Sequence, residues 1–281
     1  MLNQKIIYFC HINFKILILM KKISLLFCAV LFLLAACEKE KPQPTPNNED
    51  NGYTPTYPAT VEVIYNAVTD IDGNHYDAVK IGAQVWMAAN LRTTRYANGD
   101  AIPEGSNSDT IPLRFAVPQA DNPYYGYLYN FYAVMRGEAP SGTNPSGVQG
   151  ICPDGWHVPS DAEWTQLTSY CGGVSEYVCD SLGANVAKAL AAGYGWKSND
   201  VECTVGNDLS NNNATGFSAL PAGFYPGTQT SYGEYASFWS ATESAEDFGS
   251  AYDRSLFYGH ATVSRAVHHK YGGQSVRCVK D

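Results

Sequence analysis

Apolar and polar residues alternate over short stretches after residue 60, and this pattern predicts mostly strands and loops. Residues 60–65 alternate with the period of a half-buried strand. A turn at Asp72-Gly73-Asn74 then separates this segment from the next strand. Further strands are predicted at residues 76–81, 84–87, 124–134, 217–221, 237–242, 251–258, 260–266 and 274–279.

Two segments have the three- and four-residue spacing of an amphipathic helix. The first begins with a capping box, in which the Ser160 hydroxyl accepts from the Glu163 amide and the Glu163 carboxylate reaches back. Gly172-Gly173 ends this helix, and its apolar face consists of Trp164, Leu167 and Cys171. The second helix is predicted over residues 181–192, with an apolar face of Leu182, Val186, Ala189 and Leu190. Two helices set apart from many strands favour an α+β fold.

The N-terminus has the pattern of an export signal. Residues 23–36 form an apolar run after Lys21 and Lys22, and its roughly 14 residues are too few to span a membrane, which needs about 20. The run ends in Leu34-Ala35-Ala36-Cys37, which looks like a lipobox, so we expect residues 1–36 to be a signal peptide and Cys37 to carry a lipid. Met20 fits the start of such a signal better than Met1. The alternatives are a signal peptide with a chance cysteine, a short anchor, or an uncleaved anchor if Met1 is the true start.

Residues 37–60 predict a tether between the lipidated cysteine and a globular domain at 61–281. The segment has too few apolar residues to fold and is therefore expected to be disordered. Its prolines keep it extended, so that it holds the domain away from the membrane. The whole chain has 18 basic and 27 acidic residues and a net charge of −9. Loss of the four lysines of the signal leaves 14 basic residues and a net charge of −13. Without a basic cluster, nucleic acid is a poor partner, and attachment to a membrane through the N-terminal lipid is expected.

Five of the eight cysteines belong to the predicted domain: Cys152, Cys171, Cys179, Cys203 and Cys278. Disulfides form in the oxidising compartments that exported proteins enter, and an odd number leaves at least one thiol unpaired. The pair Cys152–Cys278 is favoured first, because it ties the helical segment to the last strand. Among the other three, Cys171–Cys179 is preferred. No pair has zinc-finger spacing, so a structural zinc is not expected.

Few residues have the spacing of catalytic or metal-binding motifs. The chain contains no G-x-S-x-G, H-E-x-x-H or phosphate-loop motif, and no carboxylate pair is singled out for glycoside hydrolysis. His268 and His269 would face opposite sides of a strand and could not share a metal. His157 lies among apolar residues and is interpreted as structural. We therefore expect no enzyme and no cofactor, with calcium in the Asp- and Asn-rich loop 197–215 as the alternative.

Tyrosines at positions 124, 125, 127, 129 and 132 form an aromatic stripe. In a strand, alternate tyrosines would face the core, and the others could form a binding surface. The opposing interpretation is core plus ordinary surface. Chosen for aromatic or polar loop character, the candidate ligand contacts are Tyr124, Tyr125, Asn207, Asp208 and Tyr232.

Several segments together resemble the Fibrobacter succinogenes major paralogous domain, over about residues 61–281. Its beginning is similar to residues 70–76, 79–87 and 90–94, including Asp70-Ile71-Asp72-Gly73-Asn74 and Asn90-Leu91-Arg92. Its middle is similar to 127–130, 152–160 and 163–164, including Cys152-Pro153-Asp154-Gly155-Trp156. Its end is similar to 216–223, 238–242 and 275–279, including Ser275-Val276-Arg277-Cys278-Val279.

This resemblance implies a surface or secreted protein, often a lipoprotein, without established catalysis. It also implies a C-type-lectin-like fold, similar to sulfatase-modifying-factor domains, with two helices, a twisted antiparallel sheet, long loops, and adjacent first and last strands. The catalytic cysteines of the formylglycine-generating enzymes have no matching motif here. We therefore expect an outer-membrane lipoprotein, periplasmic or surface-exposed, with a non-catalytic module that binds a glycan or a protein. The alternatives are a structural or adhesin-type surface component and a carbohydrate-active enzyme.

Overall fold

A five-stranded antiparallel sheet forms one layer of the protein in a computed structural model, which describes residues 55–106, 110–120, 122–180, 183–225 and 231–281. These ranges fall in one compact unit, Asn48–Asp281. The predicted signal peptide, Cys37 and most of the tether lie outside the described residues. The strand order is β1-β2-β3-β10-β6, with β1 at Val63–Thr69, β2 at His75–Ile81, β3 at Gln84–Met87, β6 at Trp156–His157 and β10 at Val279–Lys280.

The last strand, β10, lies inside this sheet, between β3 and β6. Val279 of β10 pairs with Trp86 of β3 on one side and with His157 of β6 on the other. The first strand β1 instead lies at the sheet edge, beside β2. The expectation that the first and last strands are neighbours is therefore wrong, because β2 and β3 separate them.

Two smaller antiparallel sheets complete the described strands. The first has three strands in the order β7-β8-β9, with β7 at Tyr235–Glu243, β8 at Ser250–Phe257 and β9 at Ser264–His269. The second pairs two short strands, β4 at Arg114–Phe115 and β5 at Leu128–Tyr129. With α-helices at Phe131–Met135 (α1), Asp161–Gly172 (α2) and Ala187–Leu190 (α3), the fold is α+β.

The predicted capping box starts α2. Ser160 is the N-cap, its hydroxyl accepts from the Glu163 amide, and the Glu163 carboxylate accepts from the Ser160 amide. The second predicted helix is shorter than expected: only Ala187–Leu190 is helical, and residues 181 and 182 lie outside the described residues. Gly183 has a φ of +68° and lies against Gly172, so the chain turns there instead of winding into a helix.

The prediction of one strand over residues 124–134 is wrong. A 3₁₀ helix at Pro123–Tyr125, the two-residue strand β5 and helix α1 replace it. Side-chain caps from Asn122 and Asn130 start the two helical turns. Gly126 between them has a φ of +69°, and a Cβ there would lie 2.4 Å from the Leu91 carbonyl oxygen, so a strand cannot continue.

The core lies where the five-stranded sheet, α2 and β7 meet. Trp86 of β3 packs on Trp164 of α2 with 4.6 Å between ring centroids, and Trp164 packs on Phe238 of β7 at 5.6 Å. Phe217 contacts all three rings. Each such aromatic pair contributes about 0.5–1.5 kcal/mol beyond the burial of its area.

Arg277 is fully buried beside this aromatic cluster. Its guanidinium donates to the carbonyl oxygens of Met87, Phe217 and Ser218 and to the Asn90 side chain. It also lies over the Phe217 ring at 4.5 Å. Because one side chain joins three separate chain segments, these contacts explain why an arginine stands in the otherwise apolar last segment of the chain.

Two disulfides link the described cysteines. Cys152 pairs with Cys278, as predicted, with 6.0 Å between their Cα atoms. The predicted pair Cys171–Cys179 is wrong, because Cys179 pairs with Cys203 and Cys171 is a buried free thiol on α2. Burial raises the pKa of Cys171 to about 12. Disulfides indicate an extracytoplasmic protein. Within the described ranges, no helix has the length and apolar character to cross a membrane.

Candidate functional site

The turn after β1 is built around the carboxylate of Asp70. That carboxylate accepts from the backbone amides of Asp72 and Asn74, and from the Tyr76 hydroxyl at 2.6 Å. It also accepts from the Asn74 side-chain amide at 2.9 Å. The side chain of Asn74 is therefore held in one orientation by the turn itself.

Asp72 fixes the same turn to the loop after β3. Its carboxylate accepts from the Thr94 amide and hydroxyl, and from Arg95 Nε at 2.6 Å. Burial alone would raise the pKa of Asp72, but the hydrogen bonds from Thr94 and Arg95 outweigh it and lower that pKa to about 2. The aspartates of this motif are thus structural, and they align Asn74 with the loop that carries Arg92.

Arg92 is held by hydrogen bonding and by two aromatic rings. Its Nε donates to Asn74 Oδ1 at 3.0 Å, and its guanidinium carbon lies 5.4 Å from the Tyr76 ring centroid and 5.5 Å from that of Tyr124. Its Nη1 is buried without a hydrogen-bond partner. Among the described residues, no carboxylate lies within 4.0 Å of the guanidinium nitrogens. Arg92 is therefore held by a hydrogen bond and near two aromatic rings, and it has no ion-pair partner among the described residues.

The Arg92 side chain lines a cleft of about 540 Å³, which we name the Arg92 cleft. Its described lining consists of Asn74, Arg92, Ala116, Val117, Ala120, Asn122, Pro123, Gly126 and Tyr127. Tyr127 is itself supported from outside the lining, because the Arg114 guanidinium lies 4.7 Å from its ring centroid. Gly126 lies so close to the Leu91 carbonyl oxygen that a side chain would not fit between them. This close contact places the lining residues Gly126 and Tyr127 next to the loop that carries Arg92.

The described lining of the Arg92 cleft combines apolar and polar groups. It offers an aromatic ring, side-chain amides, small apolar groups and one guanidinium. Clefts of a few hundred Å³ with some well-placed polar groups are typical of small-ligand sites.

The structure gives different roles to the three tyrosines among the five candidate contacts. Tyr124 lies beside Arg92 at the cleft, and it stays a candidate contact. Tyr125 is completely buried, so it is corrected to a core residue. Tyr232 is half-buried and packs on Tyr125 with 5.0 Å between ring centroids, and it is not among the described residues that line the cleft.

The other two candidates, Asn207 and Asp208, lie in a loop organised by a lysine. Lys188 of α3 donates to the carbonyl oxygens of Asn207, Asp208 and Thr204. The Asp208 carboxylate accepts from the Ser210 amide and hydroxyl. The Lys188 ammonium group thus organises the backbone of this loop. In the described ranges, no group of three or more His, Cys, Asp or Glu residues is arranged to hold a metal.

The histidines named from the sequence have structural contacts. His157 lies 2.7 Å from Glu163 Oε1 through Nε2 and 2.7 Å from Asp281 Oδ1 through Nδ1. Burial alone would lower the pKa of His157, but its hydrogen bonds to these two carboxylates raise it. His268 and His269 face opposite sides of β9, where they approach Asp253 and Ser250 respectively. His157 therefore ties β6 to the start of α2.

Sequence reasoning named Tyr124 but missed Arg92, although Arg92 lies in a recognised motif. The signal in the sequence was the position of Arg92 directly after Asn90-Leu91, within the segment that resembles the family. Its hydrogen-bond partner Asn74 is 18 residues away in the sequence, so the contact between them is not visible there. The position of Arg92 against Tyr76 and Tyr124 depends on the fold of three segments.

No curated protein and no solved structure matches this chain. The family model described as the Fibrobacter succinogenes major domain matches residues 79–280, which include Arg92, the cleft wall and both disulfides. By this match, the chain belongs to the Fibrobacter succinogenes major domain family.

Proposed function

We propose that this protein is a cell-envelope lipoprotein with a non-catalytic extracytoplasmic module that binds a glycan, and that the Arg92 cleft is its ligand site. The observation that carries the proposal is the cleft itself, which combines the Tyr127 ring, the Asn122 side chain and a fixed Arg92. Sugars present apolar ring faces and hydroxyl groups, which aromatic rings and polar side chains recognise together.

The location of the module is part of the same proposal. The lipobox sequence at Leu34–Cys37 and the proline-rich segment after it support an outer-membrane anchor and a tether, with the domain periplasmic or surface-exposed. Both disulfides lie in the family domain and support an extracytoplasmic position. The antiparallel sheets and long loops are compatible with the C-type-lectin-like fold that the sequence resemblance implies.

Two alternatives have less support. An adhesin-type component that crosslinks through its unpaired cysteine would need an accessible thiol, whereas Cys171 is buried and its pKa is raised to about 12. A carbohydrate-active enzyme would need a pair of carboxylates across a cleft, and the described lining of the Arg92 cleft contains none. A second cleft, of about 360 Å³, is lined by Asp154 and Asp281, but Asp281 already contacts His157 at 2.7 Å.

A glycan array tests this function, with the purified full chain in detergent applied with calcium and with a chelator. We expect a reproducible hit that does not depend on calcium. Tyr127→Ala should weaken it about tenfold, the value of one aromatic contact. Phe248→Ala is the matched control, because this ring is 77% exposed and does not line the cleft. A folded protein that binds no glycan would refute the proposal and favour a protein ligand.

A further inference from the structure

Resting on the proposed function, we infer that the ligand of the Arg92 cleft is an acidic saccharide, whose carboxylate pairs with the Arg92 guanidinium. The class is defined by chemistry: a sugar with a carboxyl group, as in a uronic acid, carried on a ring that can lie against an aromatic side chain. Four features of the described residues lead to it.

The first feature is the unused hydrogen-bonding capacity of Arg92. A guanidinium has five N–H donors in a planar fork that matches a carboxylate. Nε donates to Asn74, but Nη1 is buried without an acceptor. Nη2 is neither buried nor hydrogen-bonded to a described residue, so it is the guanidinium nitrogen that a ligand in the cleft can reach. A ligand carboxylate would accept from it in a charge-assisted hydrogen bond.

The second feature is the absence of a competing carboxylate among the described neighbours. Asp70 accepts from the turn amides and Tyr76, and Asp72 is paired with Arg95 at 2.6 Å. Neither carboxylate lies within 4.0 Å of an Arg92 guanidinium nitrogen. By contrast, Arg114, Arg254 and Arg265 each have a carboxylate partner at 2.5–2.9 Å.

The third feature is the rigidity of the guanidinium before any ligand arrives. Its guanidinium carbon lies 5.4 Å from the Tyr76 ring centroid and 5.5 Å from that of Tyr124, and Asn74, itself fixed by Asp70, accepts from Nε. Arginine side chains have large rotamer entropy, which is lost when a ligand immobilises them. Here the fold has already lost that entropy. Asn74 is accordingly a positioning residue, because both ends of its amide are used within the protein.

The fourth feature is the charge of the whole chain. A net charge of −9 repels anions at long range, and this repulsion weakens with screening by salt. A neutral ligand needs no cation in its site. An unpaired guanidinium that lines a cleft of an acidic protein is therefore best explained by a ligand that carries a negative charge at that point.

The test compares a ligand with its own neutral counterpart. Oligosaccharides rich in uronic acid are prepared in two forms, one with free carboxylates and one in which the carboxyl groups are reduced to alcohols. Binding of the purified full chain in detergent to each form is measured by calorimetry. We expect the free-acid form to bind at least tenfold more tightly than the reduced form, as a charge-assisted hydrogen bond predicts.

Two variants assign the effect to Arg92. Arg92→Gln should reduce binding of the free acid at least tenfold and leave binding of the reduced form unchanged. Arg92→Lys, which keeps the charge but not the fork, should fall between Arg92→Gln and the wild type. Arg136→Gln is the matched control, since Arg136 is also half-buried over a tyrosine ring, at 5.2 Å from the Tyr96 centroid. Near-ultraviolet circular dichroism verifies the fold of each variant.

The outcomes separate this inference from the proposed function. If both forms bind equally, or if Arg92→Gln binds the free acid as well as the wild type does, the acidic-ligand inference is overturned while the glycan module stands. Binding of neutral glycans alone would also overturn the inference and leave the module in place. If a folded wild type binds no glycan of either kind, the proposed function itself fails.

Discussion

Replacing Cys179 and Cys203 together by serine should lower the free energy of unfolding by about 3 kcal/mol. The magnitude follows from the separation of the two cysteines, which is 24 residues. A crosslink stabilises the fold by restricting the unfolded chain, and this effect grows with the logarithm of the loop length. The same relation gives about 5 kcal/mol for Cys152–Cys278, whose separation is 126 residues.

Urea unfolding of the full chain, followed by tryptophan fluorescence, measures these differences, because Trp86 and Trp164 are buried in the core. Cys171→Ala is the control. It removes a buried thiol but no disulfide, and we expect it to cost about 1 kcal/mol, as is usual for a small core substitution. Peptide mapping without reduction should join Cys179 to Cys203. A map that joins Cys171 to Cys179, with a Cys171→Ala cost as large as that of the double serine variant, would refute the pairing.

Three further predictions concern buried polar groups. The folded pKa of Asp72, about 2, lies below its ordinary value of 3.8, so its stabilisation is present above pH 3.8 and is lost as the pH falls towards 2. Asp72→Asn should therefore cost about 1 kcal/mol at neutral pH after allowance for solvent screening, with no cost measurable in acid unfolding below the folded pKa. The raised pKa of His157 means that its ion pair with Glu163 stabilises the fold fully below about pH 6.5 and is lost as the pH rises through the folded pKa. The difference in unfolding free energy between wild type and His157→Gln should thus shrink as the pH rises above 6.5 and through the raised folded pKa, and a constant difference would contradict this sign. Arg277→Met should cost about 3 kcal/mol or more in urea unfolding, because three carbonyl oxygens lose a buried donor; a cost below about 1 kcal/mol would contradict the structural role.

Local signals in the sequence are enough to predict some elements. The capping box of α2 lies within one helical turn, so Ser160 and Glu163 identify the helix start without knowledge of the fold. The strands around Gly82 and the long strands β7 and β8 also follow from their residue pattern, with each end predicted to within two residues.

Contacts between distant segments decide the elements that sequence reasoning missed. The region 124–134 has the aromatic content of a strand, but Gly126 must approach the Leu91 carbonyl, and no local pattern records that contact. The polar loop near Asn207 is rich in Asp and Asn, but its composition does not reveal that its carbonyl oxygens accept from Lys188 of α3. The pairing of Cys179 with Cys203 depends on the same loop.

The candidate site is only partly visible in the sequence for the same reason. The turn motif around Asp72 can be recognised from the sequence. The sequence does not show that the Asp72 carboxylate fixes this turn to the loop after β3, through hydrogen bonds from Thr94 and Arg95. Arg92 could not be identified as a site residue without its contact with Tyr124, which is 32 positions further along the chain. Composition can name such residues, but their distance from one another is set by the fold.

A crystal structure of the protein with its best-binding acidic oligosaccharide would show directly whether the Arg92 cleft is the ligand site. We expect a sugar ring in the cleft, against Tyr127, with a carboxylate oxygen within hydrogen-bond distance, about 2.7–2.9 Å, of an Arg92 guanidinium nitrogen. A ligand found in the loop of Asn207 and Asp208, with the Arg92 cleft empty, would contradict this expectation.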